Sequence, residues 1–382
     1  MNKKNQLKKL PALSPTQARI AAQNSRGIKT GNDQPIVQNG RETKVATKAT
    51  NKNQNQNQTI STKGLLSEDY DFTKKLGSGS FGDVWCAIDK KATRSLQSDT
   101  HNGIVPYTEN SSNVKYVAIK VEHSKKKERS RVLEEYKIYK YLRDHGFIEG
   151  IAKLHNYIEI PGYNMLVMEL LGPSLEDMFN KHKRIFKLST VFAIALQLID
   201  LIETLHSLSF IHRDIKPNNF SLGYRNYQQI YMLDFGLSKK FYSKEKGHIP
   251  MNKDKHLVGT VRYVSKNMHM GIEPSRRDDL ESIGYMLIYF AKGELPWQGL
   301  NKKLHGINGQ NIDHKQKIGE IKHLTKMSSL CSGLPKCFNK YLEYCGKLKF
   351  AEKPNYDYLK DLFIKSSQET GIEAKFEWSN QQ

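Results

Sequence analysis

The first 64 of 382 residues contain no aromatic side chain and only two acids, Asp33 and Glu42. They hold 12 Lys and Arg and the polar run NKNQNQNQ at 51–58. So little apolar surface cannot offset the roughly 1–2 kcal/mol per residue of backbone entropy lost on ordering. A folded domain is excluded there, and a disordered basic arm over 1–64 is expected. Cysteine is scarce too: Cys86, Cys331, Cys337 and Cys345 show no C-x-x-C spacing and no His pair completes a zinc site. Free thiols in a reducing compartment are the expectation. Long apolar runs are missing as well. The stretches 191–202 and 283–291 are too short for a bilayer of ~30 Å, and no secretory h-region opens the chain. No transmembrane segment is expected. The acid-free first 32 residues resemble a transit peptide only faintly, because Lys and Asn dominate.

Charge is what the chain has in excess. The net charge is +21, and removing the arm's +10 leaves +11 on the rest. A basic surface calls for acidic partners: nucleic acid, anionic membrane, or acidic and phosphorylated proteins. Charge alone favours nucleic acid, but the arm lacks interleaved aromatics and the chain lacks a reading module. Weak polyanion binding by the arm remains as a secondary expectation. The folded part is expected over 65–378, with 379–382 as a tail. Short apolar stretches, glycines and β-branched residues from Phe72 to Ile119 read as strands, interrupted by a polar surface insertion at 91–115. From Arg129 onward helices dominate, and 188–208 is apolar nearly all round, as a buried central helix would be. The polar stretch 301–314 reads as a second loop. The expectation is an α+β, bilobal chain, with a small β-rich N-lobe at about 65–168 and a larger helical C-lobe at about 172–378.

LGSGSFGDV at 76–84 has the form G-x-G-x-x-G-x-V, which dinucleotide-binding folds share. There a helix follows; here VWCAI follows, which favours a strand–turn–strand flap. Backbone N–H groups of Leu76, Gly77, Ser78, Gly79, Ser80, Phe81, Gly82, Asp83 and Val84 would then close over ATP phosphates. On these residues alone an ordinary glycine-rich hairpin stays open. VAIK at 117–120 ends a strand on Lys120, which reads as a surface lysine by itself. Placed 38 residues after Gly82 and followed by a helical acid, it reads as a phosphate ligand anchored by Glu135, with Glu134 one position off. IHRDIKPNNF at 211–220 supplies Asp214 as proton acceptor, Lys216 to neutralise the γ-phosphoryl group, and Asn219 as a Mg²⁺ ligand. LDFG at 233–236 adds Asp234 as the second Mg²⁺ ligand. Each tripeptide is common by chance; all four elements in this order are not.

These motifs resemble the eukaryotic protein kinases, and GSGSFGD (77–83), VMELLGPSLEDMF (167–179), HRDIKPNNF and SRRDDLESIGYMLIYF followed by LPWQGL (275–300) resemble the casein kinase I family over about 66–378. The resemblance implies the bilobal protein kinase fold and transfer of the γ-phosphate of Mg·ATP to Ser or Thr in acidic or phospho-primed proteins. It implies Met168 behind the adenine, the main chain of Glu169 and Leu171 as hinge, and Ala118 on the adenine face. It also implies two anion clusters, Arg213 with Lys239 and Lys255, and Arg262 with Lys317 and the Gly299 backbone. Two departures from the family touch substrate fit: Lys266 stands where an apolar residue is usual, and Asn218 where an Asp is. A pseudokinase is the competing reading, but Lys120, Asp214, Asn219 and Asp234 are all present. A monomer in the cytoplasm, the nucleus or both is expected.

Overall fold

The computed structural model describes residues 68–79, 82–98, 114–124, 129–147, 149–299 and 314–379. The arm at 1–64, Ser80 and Phe81 of the flap, 99–113, 301–313 and the last three residues of the tail lie outside them.

The N-terminal lobe is a five-stranded antiparallel sheet in the order β1-β2-β3-β5-β4. Its strands are β1 (Tyr70–Gly79), β2 (Gly82–Asp89), β3 (Tyr116–His123), β4 (Leu154–Ile160) and β5 (Tyr163–Glu169). Side chains alternate across a strand, and those of β3, YVAIKVEH, divide between the two faces of the sheet. Val117, Ile119 and Val121 join Trp85, Met165 and Val167 in a core on one face. Ala118 turns to the other face, where it packs into the main core with Leu166 and Met168. Lys120, two residues on, shares that face. Helix α1 (Lys90–Ser98) comes after β2, and its first turn is capped by Asp89, whose carboxylate accepts from the Ala92 N–H at 2.8 Å. The stretch expected as an insertion at 91–115 therefore opens with a helix.

Helix α2 (Arg131–Asp144) starts at Ser130, whose hydroxyl accepts from Leu133 N–H at 3.0 Å. It buries Val132, Glu135, Tyr139 and Leu142, a single stripe at helical spacing. Glu135 thus sits on the inner face, while Glu134 is exposed and pairs with Lys137 at 2.9 Å. The hairpin β4–β5, which turns at Pro161-Gly162, departs from the expectation that helices dominate after Arg129.

The C-terminal lobe is helical. Its helices are α3 (Leu175–Lys181), α4 (Leu188–Ser207), α5 (Lys266–His269), α6 (Arg276–Lys292), α7 (His314–Leu324), α8 (Met327–Leu330), α9 (Lys336–Lys347) and α10 (Tyr356–Thr370). Helix α4 packs on α6 and α10 as the central helix. It corrects one sequence expectation. At 20 residues it is long and apolar enough to cross a membrane, yet 61% of its apolar window is buried inside the protein. Between α4 and α6 runs the chain that carries the chemistry, with short pairs at Phe210–Ile211 with Lys239–Lys240 and Phe220–Leu222 with Ile230–Met232.

Candidate active site

A cleft of about 1240 Å³ lies where the sheet meets the helical lobe. Gly77, Ser78, Gly79, Gly82 and Val84 line it from the flap, and Leu76 from its edge. β1 and β2 pair antiparallel through Gly79 and Gly82, so the glycine motif is a strand–turn–strand and no helix follows it directly. Gly82 has φ +128°, and a Cβ there would meet the Val121 carbonyl at 2.0 Å, so only glycine fits. Asp83 does not line the cleft: its carboxylate pairs with Lys75 at 2.9 Å and accepts from Ser78 Oγ at 2.7 Å. Its part is to stiffen the hairpin.

Ala118 and Met168 are register partners on β3 and β5, and both line the cleft with Glu169, Leu170 and Leu171. The Glu169 N–H donates to the Lys153 carbonyl at 2.8 Å, which ties the end of β5 to the chain before β4. Leu233 adds an apolar wall that the sequence reading missed. Its position directly before Asp234 was the available signal.

Lys120 Nζ bonds Glu135 Oε2 at 2.6 Å and Asp234 Oδ1 at 3.0 Å. Burial works against the Lys120 charge, but the two carboxylates outweigh it and raise its pKa above the ordinary lysine value. Asp234 responds in the opposite sense: burial would raise its pKa, and Lys120 with Lys216 brings it below the usual carboxylate range. Asp234 itself is left-handed at φ +63°, which aspartate tolerates better than most residues. Phe235 next to it has no exposed surface and packs edge-on to Tyr139 of α2 at 4.8 Å.

Asp214 Oδ2 accepts from Lys216 Nζ at 2.6 Å, and Asp214 Oδ1 accepts from Thr260 Oγ1 at 2.8 Å. Asn219 Nδ2 donates to the Asp214 carbonyl at 2.8 Å, which fixes the amide and leaves its oxygen as a ligand. Gly259, at φ +84°, lets the chain pass close enough that a Cβ would stand 2.4 Å from the Arg213 carbonyl. Thr260, through that hydrogen bond, ties its segment to Asp214. Asp279 was missed altogether. Buried in the first turn of α6, it accepts from the His212 and Arg213 N–H groups at 2.7 and 2.8 Å and meets His206 Nε2 at 3.0 Å. Burial would raise its pKa, and the His206 hydrogen bond leads the contacts that lower it. It holds the backbone that aims Asp214, and the quoted run SRRDDLES contained it.

No group of three or more His, Cys, Asp or Glu able to hold a metal occurs among the described residues. Asp234 and the Asn219 amide oxygen are a sparse oxygen pair, which suits Mg²⁺, a cation that takes most of its ligands from phosphates and water. The residues present fit that cation together with a nucleotide.

The two expected cation clusters are built differently. Glu273, buried, ties Lys239 at 2.8 Å and Lys255 at 3.6 Å, and Arg213 Nε donates to the Leu237 carbonyl at 2.6 Å. Arg262 and Gly299 line a second cavity of about 330 Å³, together with Glu176 and Lys216. Lys317 is not among its walls; it pairs with Glu320 one turn along its own helix at 3.1 Å. The structure brings Arg262 and Gly299 together and leaves Lys317 out. Lys266, in place of an apolar residue, offers its backbone N–H to Glu281 at 3.0 Å, and Asn218 lines both cavities.

Residues 101–355, well over half of the chain, match the family model of the protein kinase domain. The span contains Lys120, Glu135, Asp214, Asn219 and Asp234; the glycine hairpin precedes it.

Proposed function

The chain belongs to the protein kinase domain family, a family of phosphotransferases that act on proteins with ATP and Mg²⁺, and we propose that it is a serine/threonine kinase of the casein kinase I type. The observation that carries this reading is Asp214 held between Lys216 at 2.6 Å and Thr260 at 2.8 Å. Thr260 belongs to the segment along which a substrate would lie. A substrate backbone drawn that close to the base suits a short Ser or Thr side chain better than a tyrosine. In the proposed reaction Asp214 accepts the proton of the attacking hydroxyl, Lys216 offsets charge on the transferred group, and Lys120 holds the α- and β-phosphates. Asp234 and Asn219 would hold Mg²⁺, which supplies charge compensation on the β- and γ-phosphates when bound.

The second cavity favours acidic or phospho-primed substrates. An anion in contact with Arg262, Lys216 and the Gly299 backbone gains charge-assisted hydrogen bonds. As part of the same proposal the protein acts as a monomer in the cytoplasm or nucleus, where its four free cysteines would stay reduced. Purified protein with Mg·ATP and an arrayed peptide library tests the reading. Phosphoserine and phosphothreonine on acidic or primed peptides are expected. Phosphotyrosine as the main product, or preference for basic peptides, would overturn it.

A further inference from the structure

The backbone segment 261–264 carries Arg262 past the catalytic base, and it is held by its carbonyls. Lys322, on α7 and without exposed surface, donates from Nζ to the Val261 carbonyl at 2.8 Å and the Val264 carbonyl at 2.7 Å. Between them the Arg262 carbonyl accepts from Trp297 Nε1 at 2.8 Å. The amine lies 5.2 Å from the Trp297 ring and 5.3 Å from the Tyr285 ring. Three carbonyls within four residues are thus taken by two side chains from outside the segment. The ends are pinned as well, by Thr260 on Asp214 and by Ser265 Oγ on Asp278 at 2.6 Å.

A buried amine costs stability unless it is paired. Lys322 forms no ion pair among the described residues, and burial lowers its pKa to about 7, with Glu281 pulling the other way. A methionine of similar length would fill the same space without that cost. The two hydrogen bonds do not depend on the charge, because a neutral amine keeps two N–H groups for two carbonyls. The side chain is therefore better explained by what it holds than by what it contributes to folding.

We propose that Lys322 is a positioning residue for the protein substrate: with Trp297 it fixes the backbone of 261–264 so that Thr260 stays on Asp214 and Arg262 stays in the second cavity. The inference rests on the reading of that segment as the substrate path.

The test uses the full chain with Lys322→Met, which removes both donors, Lys322→Arg, which keeps donors, and Trp297→Phe, which frees one carbonyl. KM and kcat are measured for ATP and for the best peptide substrate, beside the melting temperature. Lys322→Met is expected to raise the peptide KM roughly 10-fold or more, on the scale of two lost hydrogen bonds. The ATP KM should change less than about two-fold, without a lower melting temperature. Lys322→Arg should recover part of the loss, and Trp297→Phe should raise the peptide KM by a smaller factor. Equal losses for ATP and peptide, or an unchanged peptide KM with a lower melting temperature, would make Lys322 a brace of the lobe and overturn the proposal. If Lys322→Met yields no folded protein, the same split in Trp297→Phe decides. Failure of the underlying reading shows separately, as a wild-type enzyme that does not distinguish primed from unprimed peptide.

Discussion

On the nucleotide side of the cleft Lys120 meets Glu135 at 2.6 Å and Asp234 at 3.0 Å, whereas on the substrate side Arg262 forms no ion pair among the described residues and lies against the rings of Tyr263 and Tyr289 at 5.7 and 5.4 Å. The first arrangement closes its charges on one another before any ligand arrives. The second leaves a cation on aromatic faces at the wall of a cavity, with Glu176 across from it. Burial works against the Arg262 charge, and the Tyr263 hydrogen bond leads the contacts that raise its pKa overall. The Arg213–Lys239–Lys255 cluster resembles the first side, since Glu273 already satisfies two of its cations. Closed circuits of charge organise a site, and open ones are available to recognise a substrate.

Asp214 stands between the two sides and sets the scale for both. Asp214→Asn should lower kcat by about 10²–10⁴, the usual contribution of a positioned base. The affinity for nucleotide should hardly change, since Lys120, Glu135 and Asp234 keep their contacts. Single-turnover rates beside nucleotide titration check this. Turnover near the wild-type level would remove the base from Asp214 and undo the comparison.

Arg262 and Lys239 then separate open from closed cations. Losing one charged contact of ~1.5–3 kcal/mol predicts a fall of roughly 10- to 150-fold in kcat/KM for a primed peptide with Arg262→Ala. The unprimed peptide should lose little. Lys239→Ala should cost several-fold less on the primed peptide, because Glu273 competes for that ammonium. Added salt should shrink the Arg262 effect, as partly exposed charges are screened over ~8 Å at physiological ionic strength. If Arg262→Ala harms both peptides equally, its stacking on Tyr263 and Tyr289 is a brace for the segment and not a recognition contact. If Lys239→Ala is the more damaging, the ranking of the clusters is reversed.

How much of this was legible depended on how locally each contact is made. Asp214, Lys216 and Asn219 lie within six residues, so their spacing alone brings them together. Glu135 was separable from Glu134 because Val132, Glu135, Tyr139 and Leu142 share one helical stripe. Asp279 and Glu273 were not legible in the same way. They bind the catalytic loop and Lys239 across 66 and 34 residues, and no local pattern records such contacts. Lys322 was the hardest, since KQKIGEIKHL reads as a solvated helix until α7 is packed against the segment it grips. The register of Lys317 was lost for a related reason: spacing through 301–314 gave no fixed point from which to count. Helix α1 was missed although Asp89 caps it, because lysine-rich polarity looked like loop.

The smallest predicted effect reads the cost of the Lys322 amine directly. Its pKa is lowered to about 7 by burial, while in the unfolded chain it returns to the ordinary lysine value. Between those values the unfolded state binds more protons than the folded state, so stability rises with pH through that window. Below about pH 7 both states are protonated and the full cost of burying the charge is present. The gain is at most about 1.4 kcal/mol per pH unit, and other groups titrate in the same range. The measurement is therefore a difference: the melting temperature of wild type minus that of Lys322→Met, from pH 6.5 to 9.5. Other charges near the amine enter that difference only weakly. His269 on α5, held down to about 4 by burial and then by Lys322, stays neutral across the window. Across that window the gain sums to at most about 3 kcal/mol, so the difference should rise with pH by several °C. A flat difference would mean that Lys322 titrates as an exposed lysine does, and that the segment it grips opens to water as readily as the rest of the substrate side.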